Sequence, residues 1–402
     1  MKRLIAIILL IVMAFTLTCC GKKEEPTPTP DPEPEKETLK IGLICLHDEN
    51  STYDLNFISG FKTACEDMGV EMVIKTNVPE TEECYNTAAD LADAGCKIVF
   101  ADSFGHEDFM IQAAKEFPDV EFCHATGTKA HTEGLANFHN AFASIYEGRF
   151  LDGVAAGMKL NEMIEKNPEL EPKVGYVGAY TYAEVISGYT SFFLGVRYMC
   201  AEATMEVTFT GSWYDETAEK EAANKLINDG CVFISGHADS MGAPTVCEER
   251  KVPFVFYNGS VQEACPDTFI VSTKIDWTPY FKHIIDCVEN GQPIETDWVG
   301  TIATGSVVMT DVNEAVAAAG TADEIADVMN LFMTGELDVF NTETFTVNGE
   351  ILESYMADVD TDPDYAPDTE VIQNGVFQES IYRSAPYFDL RIDGIFLADE
   401  KY

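Results

Sequence analysis

Short apolar runs alternate with amphipathic stretches along most of this 402-residue chain. Residues 40–46 form a compact apolar run that predicts a strand, and residues 55–68 repeat Phe57, Phe61, Ala64 and Cys65 at helical spacing. Residues 70–75, 97–101 and 120–124 predict further strands, with helices over 83–94 and 107–116 between them. A long run of helix formers over 141–164 closes before Pro168. A second series then begins, with strands at 173–177, 204–209, 231–235 and 253–257 separated by helical stretches. Two successive strand–helix series predict an α/β protein with two open, mostly parallel sheets.

In such sheets ligands bind just beyond the carboxyl ends of the strands. That rule selects the loops 47–54, 102–106 and 124–127 in the first series, and 179–182, 212–215, 236–240 and 258–259 in the second. They are crowded with aromatics, carboxylates, amides and small residues. Two facing rims of this kind predict a cleft that stacks a flat ring and accepts its N–H groups on carboxylates. Each candidate also has a plainer reading. Tyr53, Phe104 and Trp213 suit ordinary packing, and Asp54 suits a helix cap. His237 and Asp239 could form a hydrogen-bonded turn, and Trp277, at the start of a predicted helix, suits core as well as cleft.

Charge narrows the function classes. With 25 basic and 69 acidic residues, a net charge of −44, the surface repels nucleic acid and offers no steering for phosphorylated ligands. The seven histidines show no H-E-x-x-H spacing, and neither a G-x-S-x-G elbow nor a phosphate-binding glycine loop occurs. His106-Glu107-Asp108 and His47-Asp48-Glu49 read as solvated acidic turns rather than metal sites. No enzyme, metal or cofactor is therefore expected. Ten cysteines follow Cys20, none in C-x-x-C spacing and several inside apolar runs, as small buried hydrophobes are. Unpaired thiols in an exported protein suggest reducing surroundings.

Export is read from the first 37 residues. Lys2 and Arg3 precede an apolar core over 4–17 that is short for a bilayer span, the pattern of a secretory signal. Leu17-Thr18-Cys19-Cys20-Gly21 looks like a bacterial lipobox with Cys20 as the lipid-bearing residue and Cys19 as the alternative. Residues 21–37 are acidic and proline-rich, with almost nothing apolar to bury. Extended, this segment reaches about 50 Å at roughly 3.1 Å per residue, enough to hold a folded body clear of lipid.

The strings FADSFGHEDF, FPDVEFCHATG, YEGRFLDGVAAG, VGYVGAY, SWYDETAEKEAANKLI and GHADS occur in this order. Together they resemble the basic membrane lipoprotein family, substrate-binding components of ABC importers related to purine-nucleoside receptors. The resemblance runs from about Leu39 to about Gly300 and thins beyond Thr301. It implies the type I periplasmic-binding fold, two doubly wound lobes with a hinge and a ligand cleft between them. The expected organisation is a signal and anchor at 1–20, a tether at 21–37, one lobe from 38–143 plus 272–302, and the other from 144–271 plus 303–402. Crossings between lobes are expected near 139–143, 271–274 and 301–306.

The resemblance also implies site roles. Tyr53 and Asp54 stand where the nucleoside branch commonly has Phe-Asn, and Phe104 stands where an aromatic stacks. His237 and Asp239 fall on the opposite rim, with Trp213 and Trp277 as further stacking candidates. At the ribose end Asn258 replaces an expected aspartate, and Lys274 lies close to the family lysine. The motifs SFG, HATG and H-x-D-S resemble receptors for free purine bases, so nucleoside and base both remain open. The expectation is an extracytoplasmic, lipid-anchored receptor that captures a purine nucleoside or base and delivers it to permease and ATPase subunits. The alternatives are a surface sensor or interaction lipoprotein without transport, and a receptor for another solute such as a sugar or autoinducer.

Overall fold

The computed structural model describes residues 38–359 and 366–399. The expected signal, Cys20 and the tether lie outside the described residues. Leu39–Tyr402 forms one compact unit, in which two sheets organise two lobes. Across the first sheet the strands run Asp297–Gly300, Phe138–Ala143, Glu121–Ala125, Ile98–Ala101, Lys40–Ile44 and Glu71–Lys75, and all pairings are parallel. Across the second they run Val307–Met309, Phe269–Ile275, Phe254–Tyr257, Phe233–His237, Lys173–Gly178, Thr204–Phe209 and Ile395–Leu397. Only Val307–Met309 is antiparallel to its neighbour.

Strands such as Ile98–Ala101 are buried at every position, because helices cover both faces of a parallel sheet. The first helix, Thr52–Met68, starts where the Ser51 hydroxyl accepts the Asp54 N–H. It ends at Gly69, whose φ of 69° suits a residue without Cβ. The expected helix over 141–164 is corrected at its start. Phe138–Ala143 is a fully buried strand between two partners, and the helix spans Ile145–Lys166. A short apolar run buried on both faces carries no period that separates strand from helix, so pairing decides it.

The chain passes from the first sheet to the second after Ala143, returns after Ile275, and crosses again after Gly300. The crossings lie side by side. Ser144 N–H donates to the Gly300 carbonyl at 2.7 Å, and Asp276 N–H donates to Ser306 at 2.8 Å. Beyond the helix Thr321–Thr334 the chain builds a small aromatic core in which Phe340 stacks on Phe388 at 4.2 Å. This C-terminal segment touches both lobes. Ser384 donates from N–H and hydroxyl to Asp297 Oδ1 on the first sheet's edge, and Ile395–Leu397 extends the second sheet beside Thr204–Phe209.

The ten cysteines among the described residues are all buried and unpaired. No helix among the described residues is long and apolar enough to cross a membrane.

Candidate functional site

The carboxyl ends of the two sheets face each other across a narrow cavity of about 30 Å³. One wall carries Leu46, His47, Tyr53, Asp54, Ser103, Phe104 and Thr126; the other carries Glu184, Trp213, His237, Asp239 and Tyr257.

Backbone groups set the first wall. Asp54 is buried in the first turn of Thr52–Met68 and accepts the His47 N–H at 2.7 Å, with His47 Nδ1 3.4 Å from its other oxygen. Burial pushes its pKa up, but the hydrogen bonds from His47 and Ser51 outweigh that, and Asp54 ends below the usual carboxylate range. Its neighbour Asp102 moves the other way. Burial, and then the Asp54 charge, drive Asp102 well above the ordinary value, which favours its protonated form, while its Oδ1 accepts Leu46 N–H at 3.1 Å. Tyr53 hydroxyl donates to the Asp102 carbonyl at 2.8 Å. Behind this wall His124 donates from Nε2 to the Ser103 carbonyl at 2.7 Å, and burial lowers its pKa to about 4, so it is a neutral prop. Thr126 sits at φ 63°, where a β-branched residue is strained by roughly 1–3 kcal/mol.

Aromatic rings dominate the mouth of the second wall. Tyr180 stacks on Tyr182 at 5.0 Å, and Trp213 meets Tyr180 edge-on at 5.1 Å. Two ring contacts span the cleft, Phe104 to Tyr182 at 5.4 Å and His47 to Tyr214 at 5.6 Å. Phe104 and Tyr182 remain 40% and 43% exposed, which leaves ring surface free for another partner. Deeper in, His237 lies between Glu184, 3.4 Å from Nε2, and the Tyr176 hydroxyl, 3.3 Å from Nδ1. Asp239 N–H donates to the Trp213 carbonyl at 2.9 Å. Burial, then the charges of Asp54, Glu219 and Glu184, hold the Asp239 carboxyl well above its ordinary pKa, which favours its protonated form.

The second wall rests on Arg149, fully buried in the helix Ile145–Lys166. Its guanidinium pairs with Asp152 at 2.7 Å and donates to Phe256 O, Ser235 Oγ and the Tyr176 hydroxyl. The guanidinium also lies over the Tyr257 ring at 5.3 Å. Arg149, Tyr176, His237 and Glu184 thus form one polar chain from the crossing helix to the cavity.

Six of the nine expected ligand residues line the cavity: Tyr53, Asp54, Phe104, Trp213, His237 and Asp239. Three do not. Trp277 is 1% exposed and stacks on Phe57 at 4.3 Å, so its ring is core of the first lobe rather than cleft wall. Lys274 pairs with Val308 in the strand Phe269–Ile275. Its neighbour Thr273 faces the helix Ile145–Lys166 at Gly148, and strand alternation turns Lys274 to the opposite face, off the cavity. Asn258 is buried at a left-handed turn, φ 68°; its carbonyl accepts Asn56 Nδ2 at 2.8 Å, a tie between the lobes, and its side chain lies behind the cavity-lining Asp239.

His47, Ser103 and Thr126 fall in loops that the strand-end rule selects. Glu184 and Tyr257 do not. Tyr257 is the last residue of its strand and Glu184 lies in the first turn of the helix Ala183–Met199, so widening the loops by two residues on either side would have found them.

Cys45, Asp54 and Asp102 bring ligand atoms within 4.8 Å of one another. Burial pushes the Cys45 thiol far up and raises Asp102, so without a cation both favour their neutral forms. Of the two acidic turns with histidine, His106 and Glu107 are buried rather than solvated and serve the fold: His106 Nε2 donates to Val78 O, and Glu107 accepts N–H groups from Thr128 and Lys129, whereas His47 lines the cavity.

Residues 46–341 match the sequence model of the Bmp family, described as ABC transporter substrate-binding protein PnrA-like, and the chain belongs to that family. It is 32% identical over 251 residues to a purine-binding protein of Brucella abortus, a match covering 61% of this chain and 67% of that protein. It is 29% identical over 254 residues to a putative ABC transporter glucose-binding protein of Haloferax volcanii, covering 63% of this chain and 61% of that one. Among solved structures, a solute-binding protein of an ABC transporter system from Conexibacter woesei superposes with a TM-score of 0.62 at 19% identity. That superposition covers 75% of this chain and 98% of the other. A counterpart from Aeropyrum pernix gives 0.62 at 15%, covering 78% and 94%. The fold is the type I periplasmic-binding architecture.

Proposed function

We propose that this member of the Bmp family captures a purine in the cavity between its lobes and hands it to the permease of an ABC importer. Its lipid anchor at Cys20 and the tether at 21–37 would keep it outside the cytoplasm at the membrane surface. One observation carries the purine reading: Asp54 on the first wall and Asp239 on the second face one cavity flanked by aromatic rings, and their opposite pKa shifts favour an acceptor on the first and a donor on the second. A purine edge presents N–H groups beside ring nitrogens, which matches that pairing, and its flat faces suit Phe104 and Trp213. Stacking of a base on an aromatic contributes about 1–3 kcal/mol. The Brucella relative, named as purine-binding, supports the same reading. A sugar has support in the Haloferax relative, named as glucose-binding, and in the several carboxyl groups of the cavity. It uses the exposed rings of both walls less fully.

A ligand that binds only the native state raises the melting temperature by mass action. Purines are expected to raise that of the purified chain while glucose and other sugars do not. A shift with glucose and none with any purine overturns the assignment and leaves a sugar receptor.

A further inference from the structure

The family match ends at residue 341, yet the chain beyond it reaches the ligand cleft. A second cavity of about 190 Å³ lies beside the main one and shares Phe104, Thr126 and Glu184 with it. Its other walls are Thr128 and Tyr182 from the two lobes and Arg383, Ala385 and Pro386 from the C-terminal segment. This strap is held in place from several sides. Ser384 donates twice to Asp297, while Arg383 donates from Nε to Ala385 O, from Nη1 to Asp358 O and from Nη2 to Pro386 O.

We propose that residues 383–386 close a second subsite that receives a hydroxyl-bearing substituent on the ring ligand held in the main cavity. The inference rests on the purine reading above. Chemistry sets the class of substituent. No lysine or arginine lines the main cavity, so Arg383 brings the cation to the joined site. Each of its terminal nitrogens carries a second N–H beyond the one given to a carbonyl. Glu184 offers an acceptor, Thr128 a hydroxyl, and the half-exposed rings of Phe104 and Tyr182 an apolar face. Donor, acceptor and ring face together suit a sugar-like group. A phosphate would meet the Glu184 charge. Asn258 and Lys274, which the resemblance placed at the sugar end, lie off the main cavity, so the strap supplies polar groups that they do not.

Titration of the full-length chain with a purine base and its nucleoside tests this, in wild type, Arg383→Ala and Thr128→Phe. The wild type is expected to bind nucleoside more tightly than base. Arg383→Ala should weaken the nucleoside by about tenfold more than the base, the scale of a lost charged hydrogen bond. Thr128→Phe, which fills the subsite from the opposite lobe without touching the strap's own bonds, should do the same. Equal wild-type affinities, or variants that weaken both ligands alike, overturn the subsite and leave the purine reading standing. Absence of binding by either ligand overturns both.

Discussion

The two walls of the cleft solve the same problem differently. On the first, the two carboxyls are held by nearby backbone, Asp54 by the His47 N–H and Asp102 by the Leu46 N–H, and Ser103 by the side chains of His124 and Glu80. On the second, the polar groups stand on a side-chain chain that starts at Arg149, far behind the cavity, and exposed aromatics form the mouth. The contrast follows from local architecture. The first wall is built from loops that fold back on their own strand ends, whereas the second depends on a buried ion pair within the crossing helix, whose Arg149 also donates to Ser235 and Phe256 on the sheet. A ligand therefore meets a preorganised polar wall and an aromatic wall whose rings remain partly free.

The largest expected break in this contrast comes from Arg149→Met. Removing one member of a buried pair leaves Asp152 uncompensated, at a cost of about 3–5 kcal/mol. The second wall should lose its support, which chemical denaturation would register as a lower midpoint. An unchanged midpoint would mean that the chain from Arg149 to His237 does not hold that wall. Smaller, and confined to binding, is Trp213→Ala. Loss of one stacking face should reduce purine affinity by about 1–3 kcal/mol while the ligand-free melting temperature hardly moves. Calorimetric titration checks this, and a large drop in ligand-free stability would instead make Trp213 a packing residue.

The smallest effect concerns the first wall and pH. Asp102 has a raised pKa in the folded state, so the native protein keeps a proton that the unfolded chain releases near pH ~3.9. Its contribution is complete below that pH and is lost as pH rises toward the folded value. In Asp102→Asn the ligand-free melting temperature should therefore fall less between pH 5 and 8 than in wild type. Part of the slope should persist, because burial also raises Asp239 and lifts Glu219 to about 7. Parallel curves for the two proteins would show that Asp102 does not carry the proton.

Much of this arrangement was legible in residue order. Alternating apolar runs marked most strands of both sheets, and the strand-end rule picked the loops that hold His47, Asp54, Phe104, Thr126, Trp213 and Asp239. What escaped had no local signature. Phe138–Ala143 is buried on both faces and adjoins a long helix, so the two read as one run. Trp277 and Trp213 are both aromatics beside helix starts, but only the packing of Phe57, Phe100 and Tyr280 around Trp277 makes it core. Arg149, inside the YEGRFLDG string, carried no sign that it supports the cavity from behind. Residues 342–399 lack both helical and strand period, and their place against Asp297 and Thr204–Phe209 depends on partners at least 80 residues away.

By itself, the sequence determined the fold class, the acidic surface, the absence of the catalytic spacings sought, and the rim loops from which a flat polar ligand would be held. These follow from composition and from periods of two and 3.6 residues, which any segment carries alone. Tertiary structure decided which aromatics face the cleft, which carboxyls have raised pKa values, and how the C-terminal strap reaches the cleft. Each of those depends on burial and on neighbours distant in sequence, and burial exists only once the lobes have formed.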